Sequence, residues 1–123
     1  MLNRLLDSVI LIDHLNKIPK ATKFILGLQP EDTAISVITR AEILVGVSQE
    51  NRSKVLTLLD HYTTFPIDTN IADIAAELRK AGTPIPQNDI WIAAHSLEHG
   101  TDLVSFDKHF EVVTGIMLTR LPM

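Results

Sequence analysis

The sequence predicts an α/β domain: a parallel sheet with helices on both faces. Three observations carry this. Short apolar runs alternate with stretches of helical periodicity along the whole chain, and strands separated by helices pair in parallel. Two of the runs end in an aspartate, Asp7 and Asp107. No repeat, low-complexity tract or linker interrupts the 123 residues, so one domain spanning 1–123 is expected.

The elements follow in order. Residues 2–6 read as a central strand with Asp7 at its C-terminal end, and Ser8 as the cap of a helix through Leu15. Pro19 opens a second helix, on which Ala21, Phe24, Ile25 and Leu28 repeat at helical spacing. Residues 33–36 make a brief strand. Residues 37–47 form a helix apolar on most sides, which predicts burial, with one acid, Glu42. Gly46 within it suggests a close approach to another helix or a partner chain. Val55, Leu58, Leu59 and Tyr62 mark a further helix, and residues 65–67 a third strand, placed at a sheet edge by Pro66. Ile71, Ile74, Ala75 and Leu78 define the next helix, ending near Gly82. Pro84 and Pro86 then hold the chain extended until a helix starts. Its face is Ile90, Ala93, Ala94 and Leu97, and Gly100 stops it. Strands at 103–106 and about 115–119 complete the sheet.

Composition narrows the function. There is no cysteine, which excludes disulfides and thiolate chemistry. Charges at Arg4, Asp7 and Asp13 break the apolar N-terminus, so it reads as a strand and not a leader, and no run is long enough to span a membrane. A soluble, cytoplasmic protein is the expectation. The net charge of −4 gives no direct support for nucleic-acid binding.

Four acids fall where one crevice could collect them: Asp7 after the first strand, Glu42 in the helix after the second, Asp89 at the start of the penultimate helix, and Asp107 after the fourth strand. Ligands of open α/β sheets bind at the carboxyl ends of the strands. Clustered carboxylates in apolar surroundings raise one another's pKa values unless a cation neutralises them. Only Arg40 and Lys108 lie near in sequence. A hard divalent ion, Mg²⁺ or Mn²⁺, suits such oxygens and can activate water beside a phosphate. Taken singly, each acid has a plain structural reading: a cap or turn for the aspartates after strands, a surface acid for Glu42, a helix-dipole partner for Asp89.

Taken together the motifs are more specific. Leu6-Asp7-Ser8 with Ile10 to Asp13, Thr39-Arg40-Ala41-Glu42, Asn88-Asp89 with Ile92-Ala93-Ala94, and Ser105-Phe106-Asp107 with Phe110 resemble a PIN-domain ribonuclease of the VapC toxin type. The resemblance covers essentially the whole chain. It implies a three-layer α/β/α sandwich on a short-stranded parallel sheet, and Mg²⁺- or Mn²⁺-dependent endonucleolytic cleavage of RNA, often tRNA or rRNA. It also implies a homodimer held in check by a cognate antitoxin, and Asp7, Glu42, Asp89 and Asp107 as the acidic quartet, with Asp7 and Asp89 the direct metal ligands. Three positions depart from the pattern: Val9 replaces a small polar residue, Pro86-Gln87-Asn88 lacks an extra acid, and Phe106 is uncommon before the fourth acid. A second metal would then bind weakly or only with substrate.

Other residues carry competing readings. Asp13 reads as structural or surface, Ser8 and Ser105 as caps or partners of the carboxylates, and His95 and His99, spaced i and i+4, as surface or packing residues in preference to zinc ligands. Arg40 pairs with Glu42 or reaches a phosphate; Lys108 and His109 touch substrate or are solvated. Two other functions compete for an acidic pocket on a parallel sheet: a phosphoryl-acceptor receiver domain, and an inactive metal-binding interaction module. The acidic charge further predicts a specific, structured RNA target, with basic residues supplied across a dimer.

Overall fold

The computed structural model describes residues 2–122. Five parallel strands form one sheet: β1 (Arg4–Leu6), β2 (Thr33–Ser36), β3 (Thr63–Phe65), β4 (Asp102–Ser105) and β5 (Leu118–Arg120). Their order is β3-β2-β1-β4-β5. The helices are α1 (Ser8–Leu15), α2 (Pro19–Leu26), α3 (Val37–Val45), α4 (Arg52–Leu59), α5 (Thr69–Lys80) and α6 (Gln87–His99).

Strand periodicity builds the three layers. Leu5, Ala34 and Leu103 pack with α5 and α6 residues such as Ile71, Ala75 and Ile90. Their neighbours Leu6, Ile35 and Val104 pack on the other face with Ile10, Ile25, Ile43 and Leu59, from α1 to α4. Successive side chains point to opposite faces, and both faces are apolar because both are covered. The α/β/α sandwich expected from the sequence is therefore present.

The order also decides one alternative. A receiver of the flavodoxin-like class has order 2-1-3-4-5, whereas here β1 is central and β2 and β3 run outward from it before β4 crosses to its other side. That crossing makes the β1/β4 junction the topological switch point, the place where an open α/β sheet leaves its crevice.

Several boundaries differ from the expectation. The third strand ends at Phe65, so Pro66 lies just past it, and Tyr62 follows α4 without belonging to it. The edge position holds. The last strand is displaced to Leu118–Arg120. The helix carrying Glu42 is only partly buried: Thr39 and Ile43 face inward, while Val45 is 89 % exposed. Gly46 is its C-cap, and a β-carbon there would meet only the Ile43 carbonyl at ordinary contact distance, so no helix packs closely on it. The helix before the fourth strand ends as expected, with Gly100 in the left-handed region at φ 64°.

Candidate functional site

Asp7 anchors the site. Its backbone N–H donates to the Val104 carbonyl at 2.9 Å, tying the end of β1 to β4. It, and not Ser8, is the N-cap of α1: its Oδ1 accepts from the Ser8 N–H at 2.8 Å. Its Oδ2 accepts from the Ser105 hydroxyl at 2.7 Å. The side chain is 5 % exposed. Burial pushes the carboxyl up to about 6; the Ser105 bond opposes that rise, and the nearby Asp89 charge adds to it.

Glu42 is reached from the same turn. The Ser8 hydroxyl donates to its Oε1 at 2.8 Å. That commits the one Ser8 proton, so the Thr39 hydroxyl, 2.9 Å away, donates to Ser8 Oγ in turn. Glu42 itself is exposed, which corrects the expectation of an acid enclosed by apolar neighbours; the residues flanking it in sequence turn to other sides of α3.

Asp89 stands in the first turn of α6. The loop before it is held by Arg79 of α5, which donates to the Ile85 carbonyl at 3.0 Å and the Thr83 carbonyl at 3.4 Å. Asp89 is half-buried, and its pKa is raised by burial first, then by the charges of Glu42 and Asp107, with His109 opposing. Ser8 links Asp7 to Glu42, Ser105 links Asp7 to Asp107, and His109 lies between Asp107 and Asp89, so the four acids gather around the C-terminal ends of β1 and β4.

Asp107 is the most open of the three site aspartates. Its N–H donates to Ser105 Oγ at 2.9 Å, and its Oδ1 caps the 3₁₀ turn Lys108–Val112 through the His109 N–H at 3.0 Å. That turn swings His109 back over the acids. Its Nδ1 lies 2.7 Å from Asp107 Oδ2 and its Nε2 3.0 Å from Asp89 Oδ2. Nε2 is shielded from solvent, and Asp89 Oδ2 is the acidic oxygen it faces. From sequence alone His109 fits either substrate contact or solvation. Its place between two site acids was signalled only by its position two residues after Asp107.

The oxygen donors converge without closing. Among the described residues, no three acidic or imidazole side chains are arranged to hold a metal ion by themselves. What is present is a set of hard oxygens, with Asp7 and Asp89 each driven toward the neutral form. That chemistry fits a hydrated divalent cation, which takes one or two carboxylates and keeps its waters.

The remaining sequence candidates lie elsewhere. Arg40 pairs with Asp60 at 3.1 Å and not with Glu42. His95 is fully buried, contacts Ser36 Oγ at 2.8 Å and lies 5.8 Å from the Phe65 ring, on which His99 stacks at 3.8 Å. Burial pushes its imidazole down to about 4, so His95 is a packing residue, while His99 is exposed and covers one side of Phe65. Ser8 and Ser105 bond carboxylates, as expected.

An all-parallel sheet between two helical layers, with carboxylates collected at its switch point, defines an α/β domain with an acidic crevice. The family profile described as PIN domain matches residues 4–116, and the chain belongs to that family. Ribonuclease VapC1 of Haemophilus influenzae (strain R2866) is 30 % identical over 124 residues, covering 91 % of this chain and 92 % of the relative. Ribonuclease VapC5 of Mycobacterium tuberculosis is 30 % identical over 100 residues, covering 72 % and 74 %. Among solved structures, DNA-bound VapBC from Salmonella typhimurium superposes with a TM-score of 0.83 at 27 % identity, covering 98 % of each chain. A toxin–antitoxin complex from Klebsiella pneumoniae also gives 0.83, at 25 % identity, covering 95 % and 96 %.

Proposed function

We propose that the chain is a metal-dependent endoribonuclease of the VapC type, the toxin of a toxin–antitoxin pair, with Asp7, Glu42, Asp89 and Asp107 as its catalytic acids. The observation that carries this is the convergence of the four carboxylates at the β1/β4 switch point of a PIN-family chain. The VapC names of its relatives, and the toxin–antitoxin complexes among similar structures, supply the reaction and the partner class.

Asp7 and Asp89 would hold the divalent ion, Mg²⁺ or Mn²⁺, with Glu42 and Asp107 oriented toward its waters. When bound, the ion supplies charge stabilisation at a phosphate and a water of lowered pKa. The chain's own residues prepare the site. Ser105 and the Ser8 N–H fix both oxygens of Asp7. Ser8 fixes Glu42, with Thr39 supporting it. Ser105 also holds the Asp107 backbone, so one hydroxyl sets the spacing between two acids. Positioned groups of this kind favour in-line attack on a backbone phosphate without reorganisation at the moment of reaction.

The protein works in the cytoplasm as a homodimer and is inhibited by a cognate antitoxin. Two features support a protein partner: Val45 at the exposed end of α3, and Leu26 at the end of α2, 77 % exposed. No described helix is long and apolar enough to cross a membrane.

The test is incubation of total RNA with the purified protein in Mg²⁺, in Mn²⁺ and in EDTA. Discrete fragments only with metal are expected. Metal-independent cleavage, or none by a folded protein on any RNA, would sink the reading. Metal binding without cleavage would favour the inactive interaction module.

A further inference from the structure

Beside the acids, this acidic chain gathers much of its positive charge. A cavity of about 460 Å³ is lined by Arg4, Lys20 and Lys23, with Phe24 and Phe106. A second, of about 360 Å³, is lined by Val9, Phe106, Asp107, Lys108 and Arg120. Phe106 belongs to both, so the two adjoin, and Asp107 brings the second to the acid cluster. Together they hold five of the chain's eleven lysines and arginines against a single acid, Asp107, in a chain of net charge −4.

Four of these five cations, Arg4, Lys20, Lys23 and Lys108, have no ion-pair partner among the described residues, and Arg120 reaches Glu111 only at 4.0 Å. The Lys20 ammonium instead stands 5.6 Å from the centre of the Phe106 ring. Like charges grouped without counterions repel, and they raise the local concentration of an anion. Cations over aromatic rings are the composition that holds a single nucleic-acid strand, with phosphates on the charges and bases on the rings. A duplex keeps its bases stacked inside and has no use for such rings.

We propose that the channel on both sides of Phe106 is the track of one flank of the RNA strand being cut. Phosphates run from the acids past Lys108 and Arg120 to Lys20, Lys23 and Arg4, over a floor formed by Phe106, which is only 6 % exposed, and a base settles against the half-buried Phe24. The inference rests on the ribonuclease reading above and adds to it the strand form of the substrate and its route. It also gives Phe106, uncommon before the fourth acid, a use.

The test is fluorescence anisotropy of a labelled oligouridylate of about 12 nucleotides, a length covering one strand site. It is titrated in EDTA across a KCl series with wild type, Lys20→Ala/Lys23→Ala and the remote control Lys80→Ala. Lys20, Lys23 and Lys80 are exposed, so all three proteins are expected to give the same circular dichroism. The double variant should bind about 10-fold more weakly at low salt, with the slope of log affinity against log salt reduced by about 1.4, or 0.7 per lost phosphate contact. Lys80→Ala should match wild type. Unchanged affinity and slope in the double variant overturn the proposal. So does normal oligouridylate binding with lost affinity for an oligoglutamate peptide, which would assign the channel to an acidic polypeptide. Cleavage with Mg²⁺ is read separately: a wild type that binds through these lysines but never cuts RNA defeats the ribonuclease reading and leaves the track, while a double variant that binds and cuts like wild type does the reverse.

Discussion

The Ser105 hydroxyl donates to Asp7 Oδ2 at 2.7 Å while accepting the Asp107 N–H at 2.9 Å, so one small side chain at the end of β4 positions two acids. A hydrogen bond to a charged group contributes about 1.5–3 kcal/mol. Ser105→Ala removes the main influence holding the Asp7 pKa down. The Asp7 carboxyl should then titrate above about 6 by NMR, and metal-dependent cleavage should fall about 10-fold at pH 6.5 and recover in part at pH 8. A loss independent of pH would show that Ser105 acts only on structure.

Asp7 is destabilising in the metal-free protein at neutral pH. Its folded pKa is raised, so the folded state binds more protons than the unfolded between 3.8 and about 6, and stability falls as pH rises through that window. Asp7→Asn should stabilise the metal-free protein by roughly 1–3 kcal/mol at pH 8 and by little below pH 4, while abolishing cleavage. Thermal melts at the two pH values check the sign. A variant less stable at pH 8 would contradict the burial argument.

His95 has the opposite sign. Its pKa is lowered from 6.5 to about 4, so the stability it lends is present above 6.5 and lost as pH falls through about 4. In wild type this loss and the Asp7 gain oppose each other between about 4 and 6. In Asp7→Asn the Asp7 gain is gone while the His95 loss and the Asp89 gain remain, so that variant should lose stability on acidification more steeply than wild type. Urea midpoints measured at intervals across this range test it.

His109 lies against Asp89 and Asp107, and its charge lowers the Asp89 pKa. In metal-free His109→Ala, the Asp89 carboxyl should therefore titrate at higher pH than in wild type. NMR of the side-chain carboxyl reads it directly. An unmoved Asp89 would mean that the imidazole is neutral where it sits.

The helices were largely legible in the sequence, because each spans enough turns for its apolar face to repeat and its caps to show. The strands were less so. A strand such as β3 or β5 has only three residues, too few for alternation, and its bounds come from pairing with a neighbour. Proline drew the third strand two residues late, although its edge position was read correctly. The four acids were legible from motif and placement. Their partners were not: Ser105 to Asp7 spans 98 residues, and His109 reaches Asp89 only through a 3₁₀ turn that carries no periodic signal. The exposure of Glu42 was missed for the same reason, since apolar neighbours in sequence face other sides of the helix.

The most direct test of the central claim compares cleavage rates of wild type, Asp7→Asn and Asp89→Asn on one RNA at saturating Mg²⁺, with folding verified for each. Both variants should lose at least about 100-fold, because each removes a charge on which transition-state stabilisation depends. If both folded variants cut within a few-fold of wild type, the acids at the β1/β4 junction are not the catalytic centre.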